Sequence, residues 1–112
     1  MKVSIDFSIY HEHKIFFDEM AVGMQSVGHQ IGFVSGMREH ERVRINREAG
    51  FKPDFVTLWG EEETIANGNL WKCKRLDELD VLVHFDPDAS ELKKYTGRWI
   101  IKVLNSGQPA KF

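Results

Sequence analysis

The stretch Val81-Leu82-Val83-His84-Phe85-Asp86 decides how this chain folds, because an apolar run typical of a β-strand ends in a carboxylate. Two other stretches repeat this arrangement, since Asp6 follows the apolar residues 3–5 and Ser35 follows residues 31–34. In an open parallel α/β sheet the carboxyl ends of the strands share one edge, and ligands bind outside that edge. We therefore expect these three polar residues to converge. Two carboxylates at such an edge suit a hard cation such as Mg²⁺ together with a phosphate.

Strand patterns and helix patterns alternate along the rest of the chain. Apolar runs predict strands at residues 2–5, 30–34, 55–58, 81–85 and 99–104. Helical spacing predicts helices at residues 16–27, 38–49, 75–79 and 89–95, whereas Asn67-Gly68 is typical of a hairpin or tight turn. The alternation predicts a three-layer α/β/α Rossmann-like fold with a parallel sheet of about five strands. We expect residues 1–112 to form one domain, with residues 105–112 as a C-terminal tail.

Composition and charge exclude several classes of protein. The 112 residues are 42% hydrophobic and 29% charged, which is ordinary for a water-soluble globular protein. The net charge of −2 gives no general attraction to nucleic acid, so we expect no nucleic-acid partner. No apolar run approaches the about 20 residues of a membrane span, and no signal peptide opens the chain, so we expect no membrane contact. The single cysteine, Cys73, fits a reducing compartment, and we expect a cytoplasmic location.

Four motifs occur in the order and spacing of a known enzyme family. They are an N-terminal strand ending in Asp6-Phe7-Ser8, a strand ending in Ser35-Gly36, a lysine before the fourth strand, and an acidic strand end at Asp86-Pro87-Asp88. Lys72 and Lys74 compete for the lysine. With these motifs the chain resembles the haloacid dehalogenase (HAD) superfamily of hydrolases, as a minimal member without a cap domain. The resemblance covers nearly all of residues 1–104.

The resemblance implies a site and a reaction. Asp6 would be the nucleophile of a Mg²⁺-dependent phosphohydrolase that passes through an aspartyl-phosphate. The metal would be held by Asp6, the Ser8 carbonyl and Asp86, with Asp88 as a further acidic group. Ser35 and Gly36 would bind the phosphate, and Lys72 or Lys74 would offset its charge. Residues expected to act in catalysis are Asp6, Ser8, Ser35 and Lys72, and those expected to bind substrate are Ser35, Gly36 and Lys74.

Ser8 departs from the pattern of the family's phosphatases, which place a second Asp at this position. That Asp protonates the leaving group and then activates water, and a serine hydroxyl has no pKa near neutrality with which to replace it. The resemblance therefore implies a slow phosphohydrolase. The alternative is a catalytically inactive HAD-like module that binds a ligand or a protein. A phosphate-accepting regulator is a third reading, although the N-terminal acidic pair of such domains is absent.

Two further features concern partners and competing sites. The segments at residues 9–16 and 60–71 are too short for a folded cap. An open site suits a bulky phosphorylated substrate, or a lid supplied by a protein partner or a second copy of the chain. His11-Glu12-His13 lacks the further ligands of a zinc site and favours a solvated loop. The tryptophans favour core or rim packing over a platform for a nucleobase.

Overall fold

The structure is a computed structural model and describes residues 1–36, 42–59 and 67–104. Within these ranges the chain forms five strands and four α-helices in alternation, with a short 3₁₀ turn after the first strand. The strands are β1 (Lys2–Ile5), β2 (Gln30–Ser35), β3 (Val56–Leu58), β4 (Val83–Asp86) and β5 (Trp99–Lys102). The helices are α1 (Lys14–Ser26), α2 (Arg42–Glu48), α3 (Gly68–Leu79) and α4 (Ala89–Leu92), and the 3₁₀ turn is Phe7–Ile9.

The five strands form one parallel sheet in the order β3-β2-β1-β4-β5. The chain builds outward from β1 through β2 to β3, then crosses back and builds in the other direction through β4 to β5. The winding therefore reverses between β1 and β4. A reversal of this kind opens a crevice at the carboxyl ends of the two strands, which is where ligands bind in open α/β sheets.

Two apolar clusters cover the two faces of the sheet and make three layers. One cluster joins the helices α1 and α2 to the sheet through Phe17, Ala21 and Ile45, which pack with Val3, Ile5, Ile31 and Phe33. The other joins α3 and α4 to the opposite face through Cys73, Leu76, Ala89 and Leu92, which pack with Val34 and Ile100. The parallel sheet and the three-layer α/β class are thus confirmed.

The predicted elements agree with the structure in kind and differ at their ends. Helix α1 ends at Ser26, and Gly28 follows with a φ of +90°, a left-handed conformation that glycine adopts at low cost. The helix predicted at residues 38–49 begins outside the described residues. Its described part, α2, buries only Ile45, as expected for a surface helix. The strand predicted at residues 99–104 and the helix predicted at 89–95 are both shorter than expected, and the tail at 105–112 lies outside the described residues.

The prediction for the segment before β4 was wrong. We expected a tight turn at Asn67-Gly68 and a short helix at residues 75–79, but α3 is a helix of 12 residues that begins at Gly68. Asn67 is its N-cap, and its Oδ1 accepts hydrogen bonds from the main-chain N–H groups of Asn69 at 3.0 Å and Leu70 at 3.1 Å. Asparagine is common both in turns and at N-caps, because its short side chain forms hydrogen bonds with nearby main-chain groups. Residues 60–66 lie outside the described residues.

No helix within the described ranges is both long enough and apolar enough to cross a membrane.

Candidate functional site

Three polar side chains lie together at the carboxyl ends of the adjacent strands β2, β1 and β4. Ser35 ends β2, Asp6 directly follows β1, and Asp86 ends β4. The Ser35 hydroxyl is 3.4 Å from Asp6 Oδ1 and also accepts a hydrogen bond from the main-chain N–H of Phe7 at 3.3 Å. The Asp6 N–H donates to the Phe85 carbonyl at 2.9 Å. The residues that the strand ends single out therefore form one cluster, at the reversal of the sheet.

Lys72 joins the two carboxylates from the helix side. Its Nζ lies 2.6 Å from Asp6 Oδ2 and 2.7 Å from Asp86 Oδ2, although the three residues are separated by up to 80 positions in the chain. All three side chains are almost completely buried. Burial lowers the pKa of Lys72, but the negative charges of Asp6 and Asp86 and the hydrogen bonds to both outweigh it, so the pKa is raised overall. Lys72 is therefore a fixed positive charge between two carboxylates.

Lys74 lies outside this cluster, so its position does not support the substrate-binding role expected for it. Its side chain is exposed, and it is not among the residues that line the cavity described below. Two positions along an α-helix turn the side chain by about 200°, so Lys72 and Lys74 face opposite sides of α3. The sequence alone does not distinguish the two lysines, because the side that each one faces depends on the helix α3 that carries them both.

A buried hydrogen-bond chain holds Asp86 in position. His84 Nε2 is 2.8 Å from Asp86 Oδ2, and His84 Nδ1 is 2.6 Å from Ser4 Oγ. The Asp88 N–H donates to Asp86 Oδ1 at 2.9 Å. Burial raises the pKa of Asp86, but the hydrogen bond from His84 and the positive charge of Lys72 outweigh it, and the pKa falls to about 2. Asp86 is consequently ionised throughout the physiological pH range.

Ser4, His84 and Asp86 are hydrogen-bonded in the same order as a Ser-His-Asp hydrolytic triad. These three residues cannot act as a triad. Ser4 and His84 have no exposed surface, so a substrate cannot reach the Ser4 hydroxyl. A triad histidine also takes the proton of a serine that touches the substrate. Here the contacts fix the orientation of the Asp86 carboxylate. This buried support was not predicted from the sequence, although His84 at an otherwise apolar strand position was a visible signal.

Ser8 and Asp88 stand at the open side of the cluster. The Ser8 N–H donates to Asp6 Oδ1 at 2.9 Å, which starts the 3₁₀ turn Phe7–Ile9, and its side chain is exposed. Asp88 occupies the N-cap position of α4, but its side chain makes no capping hydrogen bond and is also exposed. Both residues line, together with Asp6, the cavity described next.

An open cavity of about 310 Å³ connects these groups. Its lining comprises Asp6, Ser8, Ser35, Gly36, Trp59, Gly68, Asn69, Lys72 and Asp88. Trp59, Gly68 and Asn69 were not predicted as site residues. Trp59 directly follows β3 just as Ser35 ends β2, so the position at a strand end was a signal that would have found it. Asn69 became part of the site only because α3 begins at Gly68.

A larger cavity, of about 440 Å³, lies at the opposite edge of the sheet, near the amino ends of the strands. Its charged groups already have partners within the protein. Lys2 Nζ donates to the Leu79 carbonyl at 3.0 Å, and Arg98 is paired with Asp77 at 2.6 Å and Asp80 at 3.1 Å. Because it holds no cluster of catalytic groups, we take the smaller cavity at the carboxyl ends as the candidate functional site.

The carboxylates that line the smaller cavity are those of Asp6 and Asp88, whereas Asp86 lies buried beside them and is not among the lining residues. Among the described residues no three His, Cys, Asp or Glu side chains are grouped as a complete metal site. Mg²⁺ needs fewer protein ligands, because it is commonly bound by one or two carboxylates together with water and substrate phosphate. Asp6 and Asp86 carry two negative charges against the single positive charge of Lys72. The remaining negative charge of this cluster, and the carboxylate oxygens of Asp6 and Asp88 at the cavity, are of the kind that suits one hard cation.

The His11-Glu12-His13 segment forms no metal site in the structure. His11 Nε2 is 2.9 Å from Glu48 Oε2 on α2, whereas His13 Nε2 is 3.1 Å from the Leu104 carbonyl. The two imidazoles thus have different partners in different parts of the chain.

Comparison of the chain with protein-family models, with curated proteins and with solved structures gave no match.

Proposed function

We propose that this protein is a Mg²⁺-dependent phosphohydrolase of the HAD type, with Asp6 as its nucleophile. The observation that carries the proposal is the contact of one buried lysine with two carboxylates at the reversal of a parallel sheet. Lys72 lies within 2.7 Å of both Asp6 and Asp86, and the cluster opens into a cavity. A structural ion pair has no need of such a cavity, whereas a nucleophile that attacks phosphate does.

The contacts of Asp6 support its proposed role as the nucleophile. Its Oδ1 accepts the N–H of Ser8, and its Oδ2 accepts from Lys72, which fixes the plane of the carboxylate. Each carboxylate oxygen has two acceptor positions. Oδ1 also lies 3.4 Å from the Ser35 hydroxyl, so Oδ2, with Lys72 as its partner, is the oxygen that keeps a position for a ligand. In the proposed reaction an oxygen of Asp6 bonds to phosphorus while the bond from phosphorus to the ester oxygen breaks. Water then attacks the phosphorus of the aspartyl-phosphate and releases phosphate and the regenerated Asp6 carboxylate.

The surrounding residues lower the electrostatic cost of bringing two anions together. Lys72 offsets the charge of Asp6 and of the phosphoryl group. The Ser35 hydroxyl and the main chain at Gly36 stand beside Asp6 and would donate hydrogen bonds to phosphate oxygens. Mg²⁺, when bound by Asp6, Asp86 and the Ser8 carbonyl, supplies further charge neutralisation. Asp88 also lines the cavity and would be a further acidic group for the metal.

Ser8 makes the proposed enzyme slow. The side chain lines the cavity where an acid would protonate the departing oxygen, and a serine cannot do so at neutral pH. A good leaving group needs little protonation as it departs, so esters of this kind should be hydrolysed faster than alkyl phosphates. The same substitution supports a second candidate function, a binding module that keeps the cation and phosphate site without turnover. The cavity is open, so either function is compatible with a bulky ligand or with a partner that covers the site.

The test is the hydrolysis of para-nitrophenyl phosphate and of glycerol phosphate in Mg²⁺ at neutral pH. We expect slow release of nitrophenol and almost no release of phosphate from glycerol phosphate. Ser8→Asp should raise turnover by ~10²–10⁴-fold, because a positioned acid and base is restored. Ser8→Asn is the matched control, because asparagine is similar to aspartate in size and polarity but transfers no proton. This variant should not raise turnover.

Asp6→Asn should remove the activity in both the wild-type and the Ser8→Asp background, and chelation of Mg²⁺ should do the same. Equal turnover of Ser8→Asp and Ser8→Asn would show that the site does not use an acid at this position. No turnover by any variant would favour the binding module over the hydrolase.

A further inference from the structure

The cavity has two ends of different chemistry. Its ionic end contains Asp6, Lys72 and Asp88, with Ser35 and Gly36 beside them, whereas its other end is lined by Trp59, Gly68 and Asn69. None of the residues that line this second end within the described part of the chain carries a charge. A phosphate bound at the ionic end would therefore direct the rest of its ester toward a neutral wall that includes one large aromatic ring.

The position of Trp59 is fixed by the sheet and by α3. Its main-chain N–H donates to the Ser35 carbonyl at 3.1 Å, which ties it to the end of β2. Three ring atoms lie 3.8 Å from the place that a Cβ on Gly68 would occupy, so the ring rests over the first residue of α3. The ring is half-buried and lines the cavity. Part of an anchored indole is thus accessible from the side that holds Asp6.

The distance between Asp6 and Trp59 sets the size of what could bind. They follow β1 and β3, with β2 between them, and two strand spacings amount to about 10 Å. A phosphate in contact with Asp6 and a ring in contact with Trp59 must then be separated by several bonds. This spacing suits a nucleoside monophosphate better than a phenyl phosphate, in which the ring adjoins the phosphate oxygen.

We propose that Trp59 is a stacking platform for a planar aromatic group in the leaving alcohol, so that the substrate class is nucleotide-like phosphate monoesters. This proposal rests on the proposed hydrolase function for its phosphate end. Asn69, which lines the same wall, would hydrogen-bond to polar edges of the stacked ring. Stacking is tolerant of base identity, because every nucleobase has a π-face, so we expect little discrimination between purines.

Trp59 differs from the other two tryptophans in ways that provide controls. Trp71 is buried in α3, with 3% of its surface exposed. Trp99 is 72% exposed, but it begins β5 and so lies at the amino edge of the sheet, away from the cavity. Trp99→Ala therefore removes an accessible indole without touching the proposed platform.

The experiment measures binding by titration calorimetry, in Mg²⁺, of adenosine monophosphate and of ribose 5-phosphate to the Asp6→Asn protein. This background prevents turnover, so the result does not depend on hydrolysis. We expect adenosine monophosphate to bind more tightly than ribose 5-phosphate. Trp59→Ala should weaken only the nucleotide, by about 5- to 100-fold, while Trp59→Phe keeps most of the affinity and Trp99→Ala changes neither ligand.

Three outcomes would overturn the platform: equal affinity for the two ligands, an equal loss of both in Trp59→Ala, or no binding of either. The first two would leave the hydrolase untouched, because the phosphate end would still bind. A different result would separate the two proposals in the other direction. If nucleotide binding depends on Trp59 but the wild-type protein hydrolyses no phosphate ester, the hydrolase is rejected and the platform is retained.

Discussion

Lys72 is the residue on which the electrostatics of the candidate site depend. It is the partner of both Asp6 and Asp86, at 2.6 and 2.7 Å, and burial leaves water little access to either carboxylate. Removing one partner of a buried ion pair is more costly than replacing the pair as a whole, because the remaining charge is left without compensation. A single substitution at this position therefore tests whether the cluster behaves as one unit.

Lys72→Met should lower the free energy of unfolding by about 3 kcal/mol at pH 7, since two buried carboxylates lose their cation. The pKa of Asp86 in the folded protein is about 2, below the ordinary value of about 3.9. A lowered pKa gives stability that is present above the ordinary value and is lost as the pH falls through about 4 toward 2. The deficit of Lys72→Met should therefore shrink in that window.

Urea denaturation of the wild type and of Lys72→Met from pH 7 to pH 3 would measure this deficit. Lys74→Met is the matched control, because Lys74 is exposed on the same helix, and it should change the stability by less than about 0.5 kcal/mol. A deficit that stays constant over the whole pH range would show that Lys72 acts through packing and not through the carboxylates.

At the scale of elements, the strands were easier to predict than the helix that carries the lysine. The strands are short apolar runs, and the polar residue after each run marks its end, which is why Asp6, Ser35 and Asp86 could be singled out. Helix α3 has no such clean pattern. Its buried positions are Trp71, Lys72, Cys73 and Leu76, so a charged residue lies on the face that should be apolar. Helical spacing alone predicts that Lys72 is exposed, because the two carboxylates that compensate its charge lie far away in the sequence.

The start of α3 provides a prediction at this scale. Asn67→Ala removes the side-chain oxygen that accepts the N–H groups of Asn69 and Leu70, and should cost about 1 kcal/mol of stability. Asn67→Asp keeps an acceptor at the N-cap and should cost little. Chemical denaturation of the two variants measures the difference. Equal stabilities would mean that the cap does not hold the start of the helix, and with it the Gly68–Asn69 wall of the cavity.

At the scale of the whole molecule, the site depends on the order of strands more than on any single motif. The arrangement β3-β2-β1-β4-β5 brings residues 6, 35, 59, 72 and 86 to one edge, although they span most of the chain. The sequence predicted the parallel sheet and the convergence of its strand ends, because both follow from general rules for α/β proteins. Trp59 could have been singled out by its position directly after β3, whereas Asn69 could not be predicted as a lining residue, because its place depends on where α3 begins.

The nucleophilic role of Asp6 is the central claim, and the phosphorylated protein itself tests it most directly. The wild type and Ser8→Asp would be mixed with para-nitrophenyl phosphate and Mg²⁺, quenched in acid at short times, and analysed by mass spectrometry after proteolysis. We predict a phosphoryl group on Asp6 that accumulates in the wild type, where no base prepares the attacking water, and less in Ser8→Asp, where hydrolysis is faster. Asp6→Asn should carry none. The absence of phosphorylated Asp6 from both Asp6-containing proteins at every quench time would contradict the account.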